Sequence, residues 1–213
     1  MSGHGSNSKH FKPVTLRRIV LRFGGCCRAK IREMGKLMIR AIETRYRGYN
    51  FRSRLEARWA VFFDELGIKW EYEVEGFDLG ADGWYLPDFW LPDFGFYVEI
   101  KPMTMQREKR HKYEKFCKLH RIVLIEGTPW EYQTYDFGDG YVSECADSGM
   151  WGRCPTCRSA RFGFRCAGEF NGSSCDCRPS SESFNCDPLT DVYMQSAIEA
   201  AKSARFEHGR TQA

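Results

Sequence analysis

The strictest pattern in the chain is the alternation in residues 95–101, GFYVEIK. Successive side chains of a β-strand point to opposite faces of the sheet. The apolar face consists of Phe96, Val98 and Ile100. The pattern therefore predicts a strand that turns this apolar face to the core, and whose other face carries Glu99 and Lys101.

A turn directly precedes this strand and predicts a hairpin. Residues 92–95, PDFG, have proline where a turn begins and glycine where a left-handed exit residue is favoured. A four-residue loop of this kind places Leu91 opposite Phe96. The same count continued along the two strands pairs Asp88 with Glu99, and cross-strand partners lie about 5 Å apart at Cβ.

The tetrapeptide LPDF occurs twice, and the hairpin separates the two aspartates. Asp93 falls in the turn, where aspartate is favoured for its turn chemistry. Asp88 falls on the sheet, on the face that carries Glu99 and Lys101. We therefore expect Asp88 to be the functional copy, although a charged, solvated face on an edge hairpin is the simpler alternative.

The remaining patterns predict an α/β (α+β) fold in which helices pack on a sheet. Residues 53–67 have helical apolar spacing, a Ser53 cap, Glu56 three residues later and Gly67 at the end. Strands are predicted for IKWEYEVEGF, WYLPDFWL and RIVLIEG, a short hairpin for YRGYNF, and further helices for residues 104–120 and 189–206. The predicted order is helix, three strands, helix, strand.

Composition and charge limit the class of protein. No apolar run is long enough to span a bilayer and no secretory signal opens the chain, so we expect a cytoplasmic protein without a membrane partner. Residues 1–49 hold twelve Lys and Arg against two acids, in a chain of net charge +4. This basic arm fits a polyanion such as DNA, or is a flexible leader.

Two adjacent carboxylates repel each other unless a cation lies between them. A small set of oxygen ligands suits Mg²⁺, which keeps several waters and leaves room for substrate phosphate oxygens. A lysine two residues after Glu99, on the same face, is able to hold water or balance phosphate charge. Asp88, Glu99 and Lys101 therefore predict a phosphodiester-cleaving site.

These residues resemble the PD-(D/E)XK nuclease superfamily. LPDF followed by VEIK after a helix that bears Glu56 is similar to small nucleases of bacteriophages and mobile elements, over roughly residues 50–126. The resemblance implies a restriction-endonuclease-like core and a Mg²⁺- or Mn²⁺-dependent endonuclease that leaves a 5′-phosphate. It also implies that Glu56 joins Asp88, Glu99 and Lys101 as a catalytic residue, with the Ile100 carbonyl as a further Mg²⁺ ligand.

Several alternatives stay open at this point. Glu56 is equally explained as the acid of a capping box. Arg52, Arg54 and Arg58 flank the helix start and are candidate nucleic-acid contacts, or a solvated basic face. The chain as a whole could be a catalytically silent nucleic-acid-binding or assembly protein, an RNA-directed enzyme or a structure-specific nuclease. Cutting both strands of DNA would favour a homodimer, because one site cuts one strand.

Cysteines cluster after residue 144 and predict a structural zinc site. Two cysteine pairs, spaced CxxC and CxC, suggest tetrahedral Zn²⁺ in a ribbon-like module. The proposed ligands are Cys154, Cys157, Cys175 and Cys177, with Cys166 and Cys186 as alternatives. A four-cysteine iron–sulfur cluster is the competing cofactor. The expected organisation is a basic flexible arm at 1–37, a nuclease core at 38–143, the zinc module at 144–188 and a C-terminal helix at 189–213.

Overall fold

A computed structural model of the chain describes residues 41–103, 110–138, 141–142, 149–154, 157–166, 169–172 and 191–208, all in the unit Ala41–Ala213. The predicted arm at 1–37 and much of the predicted module at 144–188 lie outside these residues. The described helices are α1 Arg54–Glu65, α2 Arg110–Phe116 and α3 Val192–Ser203. The described strands are β1 Thr44–Tyr46, β2 Tyr49–Phe51, β3 Glu71–Tyr72, β4 Phe77–Asp78, β5 Trp84–Tyr85, β6 Phe89–Leu91, β7 Phe96–Lys101, β8 Ile122–Thr128, β9 Glu131–Gly138, β10 Tyr141–Val142, β11 Met150–Arg153, β12 Ala160–Cys166, β13 Glu169–Gly172 and β14 Glu207–His208.

Helix α1 forms where the capping residues predict it. The Glu56 amide donates to the Ser53 hydroxyl at 3.2 Å, which satisfies one of the amides left open at a helix start. At the other end Gly67 takes a left-handed φ of +70°, and the Ile68 amide returns to the Phe63 carbonyl at 2.9 Å. This pattern ends the helix because glycine adopts that backbone conformation without steric cost.

The main sheet has six strands in the order β10-β9-β8-β7-β6-β3. Strands β7 and β8 are parallel, and the other neighbours in this sheet are antiparallel. Parallel neighbours need a crossover, and α2 lies in the segment that connects them. The mixed α/β class is thus confirmed, whereas five strands lie between α1 and α2 where three were predicted.

The segment between α1 and β6 differs from the prediction. IKWEYEVEGF and WYLPDFWL do not form two continuous strands, because β3 and β6 belong to the main sheet while β4 and β5 pair only with each other. Glu73 has a φ of +48°, and Gly80 and Gly83 also have positive φ values. These left-handed positions bend the chain out of the sheet and return it before β6 begins.

Two apolar clusters cover the two faces of β7. The first holds Phe89, Val98 and Ile100 beneath α1, which confirms the predicted core face. The second contains Tyr97 and Phe116, so α2 covers the other face. Only Lys101 among the residues of β7 is not fully buried. The polar face that carries Glu99 is therefore an enclosed one, not a solvated edge.

The C-terminal strands contribute to the first of these clusters. Strands β11, β12 and β13 form a separate antiparallel sheet. Trp151 and Phe162 of this sheet are buried, and the Trp151 ring lies 5.3 Å from Phe63 of α1. The predicted hairpin in YRGYNF is present as β1 and β2, and β14 pairs with β1.

Candidate active site on the first hairpin

The β6–β7 hairpin has the predicted register. Leu91 pairs with Phe96 and Phe89 pairs with Val98, and the ladder ends there. Asp88 lies one residue before β6, so the predicted pair of Asp88 with Glu99 is not part of the ladder. The side chain of Asp88 accepts a hydrogen bond from the Ile100 amide at 2.7 Å. The Asp88 carboxylate is thereby fixed to the strand that carries the other two predicted residues.

Lys101 joins the two carboxylates. Its ammonium forms an ion pair with Glu99 Oε1 and lies 3.9 Å from Asp88 Oδ2. The carboxylate side chains are 5% and 7% exposed, whereas the lysine side chain is 31% exposed. The structure therefore brings together Asp88, Glu99 and Lys101, and leaves the lysine as the member of the group most open to solvent.

The cluster carries more negative charge than its lysine neutralises. Burial, followed by the charge of Glu99, raises the pKa of Asp88 well above its usual range. Burial opposes the charged form of Lys101, but the carboxylates of Asp88 and Glu99 outweigh it and raise the lysine pKa. The group thus holds a firmly protonated lysine beside two carboxylates that compete for one compensating charge.

Glu56 lies in a hydrogen-bond network at the start of α1. Its carboxylate accepts from the Ser53 hydroxyl at 2.6 Å, from the Tyr72 hydroxyl at 2.7 Å and from the Arg52 amide at 3.1 Å. The Ser53 contact is that of a helix cap, and the Tyr72 hydroxyl comes from β3. The charge of Glu56 also contributes to the raised pKa of Asp88, after burial and Glu99. The cap role has direct contacts, and the predicted catalytic role stays a prediction.

The three predicted arginines differ in their relation to this cluster. Arg52 forms an ion pair with Glu73 and lies 3.8 Å from Asp88 Oδ1. Arg58 stacks its guanidinium 5.3 Å from the centre of the Trp130 ring. Within the described residues, neither Arg54 nor Arg58 forms an ion pair with a carboxylate. Arg52 is therefore the one of the three that the fold brings to the candidate site.

Two residues beside the site were missed by the sequence analysis. Tyr85 is buried, and its hydroxyl donates to Glu99 Oε2 at 2.9 Å. Glu126 of β8 is buried as well and is the register partner of Lys101. A single acid at the end of the apolar run IVLI was a usable signal for Glu126. Tyr85 gave no such signal, because only the bend of the chain before β6 brings it to Glu99.

The two carboxylates fit a hard divalent cation. No group of three or more His, Cys, Asp or Glu side chains converges as a metal site within the part of the chain that is described. Mg²⁺, however, commonly takes one or two carboxylates and completes its shell with water and substrate oxygens. Burial, followed by the charge of Glu99, raises the pKa of Asp88, and a cation bound between the two carboxylates would oppose this effect. The Ile100 amide is committed to Asp88, and the ligand role of its carbonyl stays a prediction.

The first half of the predicted zinc set is described and the second half is not. Cys154 is buried and Cys157 is exposed at the end of β11. The Arg158 amide donates to the Cys154 carbonyl at 2.9 Å, and Arg158 has a φ of +62°. The predicted ligands Cys175 and Cys177 lie outside the described residues, as does Cys186.

Comparison with protein-family models, with curated protein sequences and with solved structures finds no match to the chain. In the described part of the chain, no helix is both long enough and apolar enough to cross a membrane.

Proposed function

We propose that the chain is a divalent-metal-dependent DNA endonuclease that hydrolyses phosphodiester bonds at the β6–β7 hairpin. The observation that carries this proposal is the convergence of Asp88, Glu99 and Lys101 in one group of two buried carboxylates and one partly exposed ammonium. Such a group suits a reaction in which negative charge develops on a phosphate.

Each residue has a role that follows from its surroundings. Asp88 and Glu99 would hold Mg²⁺ or Mn²⁺, which supplies the charge that stabilises a pentavalent phosphate. The raised pKa of Lys101, which its two carboxylate neighbours cause against the opposing effect of burial, keeps the side chain protonated. Lys101 therefore orients the attacking water and balances phosphate charge as a cation. Arg52 is close enough to Asp88 to contact the same phosphate or its neighbour.

Three parts of the proposal rest on the sequence resemblance: the phage-type nuclease family, the DNA substrate and the 5′-phosphate product. A structural Zn²⁺ at Cys154 and Cys157, completed by Cys175 and Cys177, belongs to the proposal as well. Elemental analysis of the purified chain tests this part: about one zinc and no iron per chain supports the proposal, whereas a brown, iron-containing protein contradicts it.

The first experiment is a nicking assay on supercoiled plasmid with Mg²⁺ or Mn²⁺. Wild type is compared with Lys101→Ala, and Lys69→Ala is the matched control because Lys69 pairs with the aspartate of the second LPDF at 3.2 Å. We expect wild type and Lys69→Ala to cut and Lys101→Ala to lose activity.

Other outcomes identify the alternatives. Cleavage of labelled RNA as fast as DNA would show that the enzyme acts on both nucleic acids and is not specific for DNA. Preferential cleavage of branched DNA would make the enzyme structure-specific. A wild-type chain that binds these substrates and cuts none of them would be a nucleic-acid-binding or assembly protein.

A further inference from the structure

The Glu99 carboxylate has a different partner on each oxygen. Oε1 pairs with the Lys101 ammonium, and Oε2 accepts from the Tyr85 hydroxyl at 2.9 Å. The lysine lies on the same strand as Glu99, whereas Tyr85 comes from β5, outside the main sheet. One of the two contacts that orient the carboxylate therefore comes from a chain segment outside the hairpin.

Neighbouring aromatic rings fix the position of the Tyr85 ring. Tyr85 is 7% exposed, and its ring packs edge-on against Phe116 of α2 at 5.1 Å and against Tyr113 at 5.9 Å. A ring fixed in this way presents its hydroxyl in one direction. A buried hydroxyl without a partner costs about 1–3 kcal/mol, so the bond to Glu99 is retained once the ring is buried.

We propose that Tyr85 is a positioning residue for metal binding, which fixes the Glu99 carboxylate in the orientation that a divalent cation needs. This inference rests on the proposed function, because it takes Glu99 as a metal ligand. Carboxylates that bind metals are themselves held by hydrogen bonds, and removal of such a partner typically lowers metal affinity or activity by about 10–100-fold.

Tyr97 provides a matched control on the same strand. It lies two residues before Glu99 on the same face of β7, and its hydroxyl donates to Glu75 at 3.0 Å. Tyr97→Phe and Tyr85→Phe each remove one oxygen atom from a tyrosine that bonds a glutamate. Only Tyr85→Phe removes a contact to the candidate site.

The test measures Mn²⁺ binding to the full chain without substrate, by calorimetry and by the rise in melting temperature on adding Mn²⁺. We expect Tyr85→Phe to bind Mn²⁺ about tenfold more weakly than wild type, and Tyr97→Phe to stay within about twofold. Each melting temperature is compared with that of the same variant in EDTA. A loss of stability alone therefore does not imitate a loss of metal binding.

The outcomes separate this inference from the proposed function. If wild type cuts plasmid and Tyr85→Phe binds Mn²⁺ as tightly as Tyr97→Phe, the positioning role is overturned and the nuclease proposal stands. If the variants differ as expected but wild type cuts no substrate, the metal site stands and the nuclease proposal fails. A fall in cleavage rate with unchanged Mn²⁺ affinity also overturns the positioning role.

Discussion

The two copies of LPDF have the same four residues and opposite environments. Asp88 in the first copy is 3% exposed and is bound by a backbone amide, with Lys101 at 3.9 Å. Asp93 in the second copy lies in the hairpin turn with a side chain that is 44% exposed, and it pairs with Lys69 at 3.2 Å. Each aspartate thus lies beside a lysine, but only the carboxylate of the first pair is buried.

The difference shows that the local sequence does not decide the chemistry of an aspartate here. Both copies have the same intrinsic preferences, but Asp88 lies buried just before β6, against the Ile100 amide of β7, whereas Asp93 lies in the exposed turn. In the enclosed copy, burial and Glu99 raise the carboxyl pKa well above its usual range. Variants made in both copies are therefore the sharpest way to test this comparison.

The largest difference is expected for cleavage. Asp88→Asn should abolish plasmid nicking, because it removes a proposed metal ligand. The loss of activity should exceed the factor of about 10–100 that is typical for residues that only support metal ligands. Asp93→Asn should nick plasmid at the wild-type rate. Equal activity of the two variants would remove Asp88 from the site.

The next largest difference is expected for stability at the last residue of each copy. Phe89 is fully buried, so Phe89→Ala should lower the free energy of unfolding by about 3–5 kcal/mol. Phe94 is only partly buried, beside Phe96 and Trp151, so Phe94→Ala should cost roughly half as much. Urea unfolding measures both values, and a larger loss for Phe94→Ala would contradict the assigned burial.

The buried aspartate, Asp88, should also affect the pH dependence of stability without metal. The raised folded-state pKa of Asp88 means that the folded chain binds this proton more tightly than the unfolded chain, whose value is about 3.9. The stabilisation from this bound proton is fully present at pH values below the pKa of the unfolded state. It is lost as the pH rises toward the folded-state pKa, and the free energy of unfolding then falls by up to about 1.4 kcal/mol per pH unit.

Asp88→Asn should therefore flatten this pH dependence in EDTA. Denaturant unfolding between pH 4 and 8 measures the slope. Mg²⁺ added to wild type should restore stability more at the upper end of the range than at the lower end. A wild-type slope that survives in Asp88→Asn would mean that another group carries the proton.

The smallest effect on stability is expected at the exposed ion pair between Lys69 and Asp93. Lys69→Ala should change the free energy of unfolding by less than about 1 kcal/mol, because an exposed ion pair is screened by solvent and salt. Its effect should shrink further in 1 M NaCl. A loss above about 2 kcal/mol in the same urea assay would show that the turn copy also has a structural role that its exposure hides.

Much of the site was predictable because its residues are close in sequence. The turn at 92–95 fixes the register of β6 and β7, which brings Asp88 to β7, and the alternation in β7 places Glu99 and Lys101 on one face. The Ser53 cap and Gly67 fixed α1 for the same reason, since a cap needs contacts only within a few residues. The short strands before β6 were not predictable from alternation, which continues through the positive-φ residue Glu73.

The sequence by itself determined the local units: the capped helix, the hairpin register and the presence of Glu99 and Lys101 on one strand face. Tertiary structure decided which charged groups are enclosed and what holds them. Strand β5 brings Tyr85 to Glu99, and the loop before α1 brings Arg52 to Asp88. The physical reason is that backbone pattern acts over a few residues, whereas burial and charge depend on segments distant in sequence that pack together only in the folded chain.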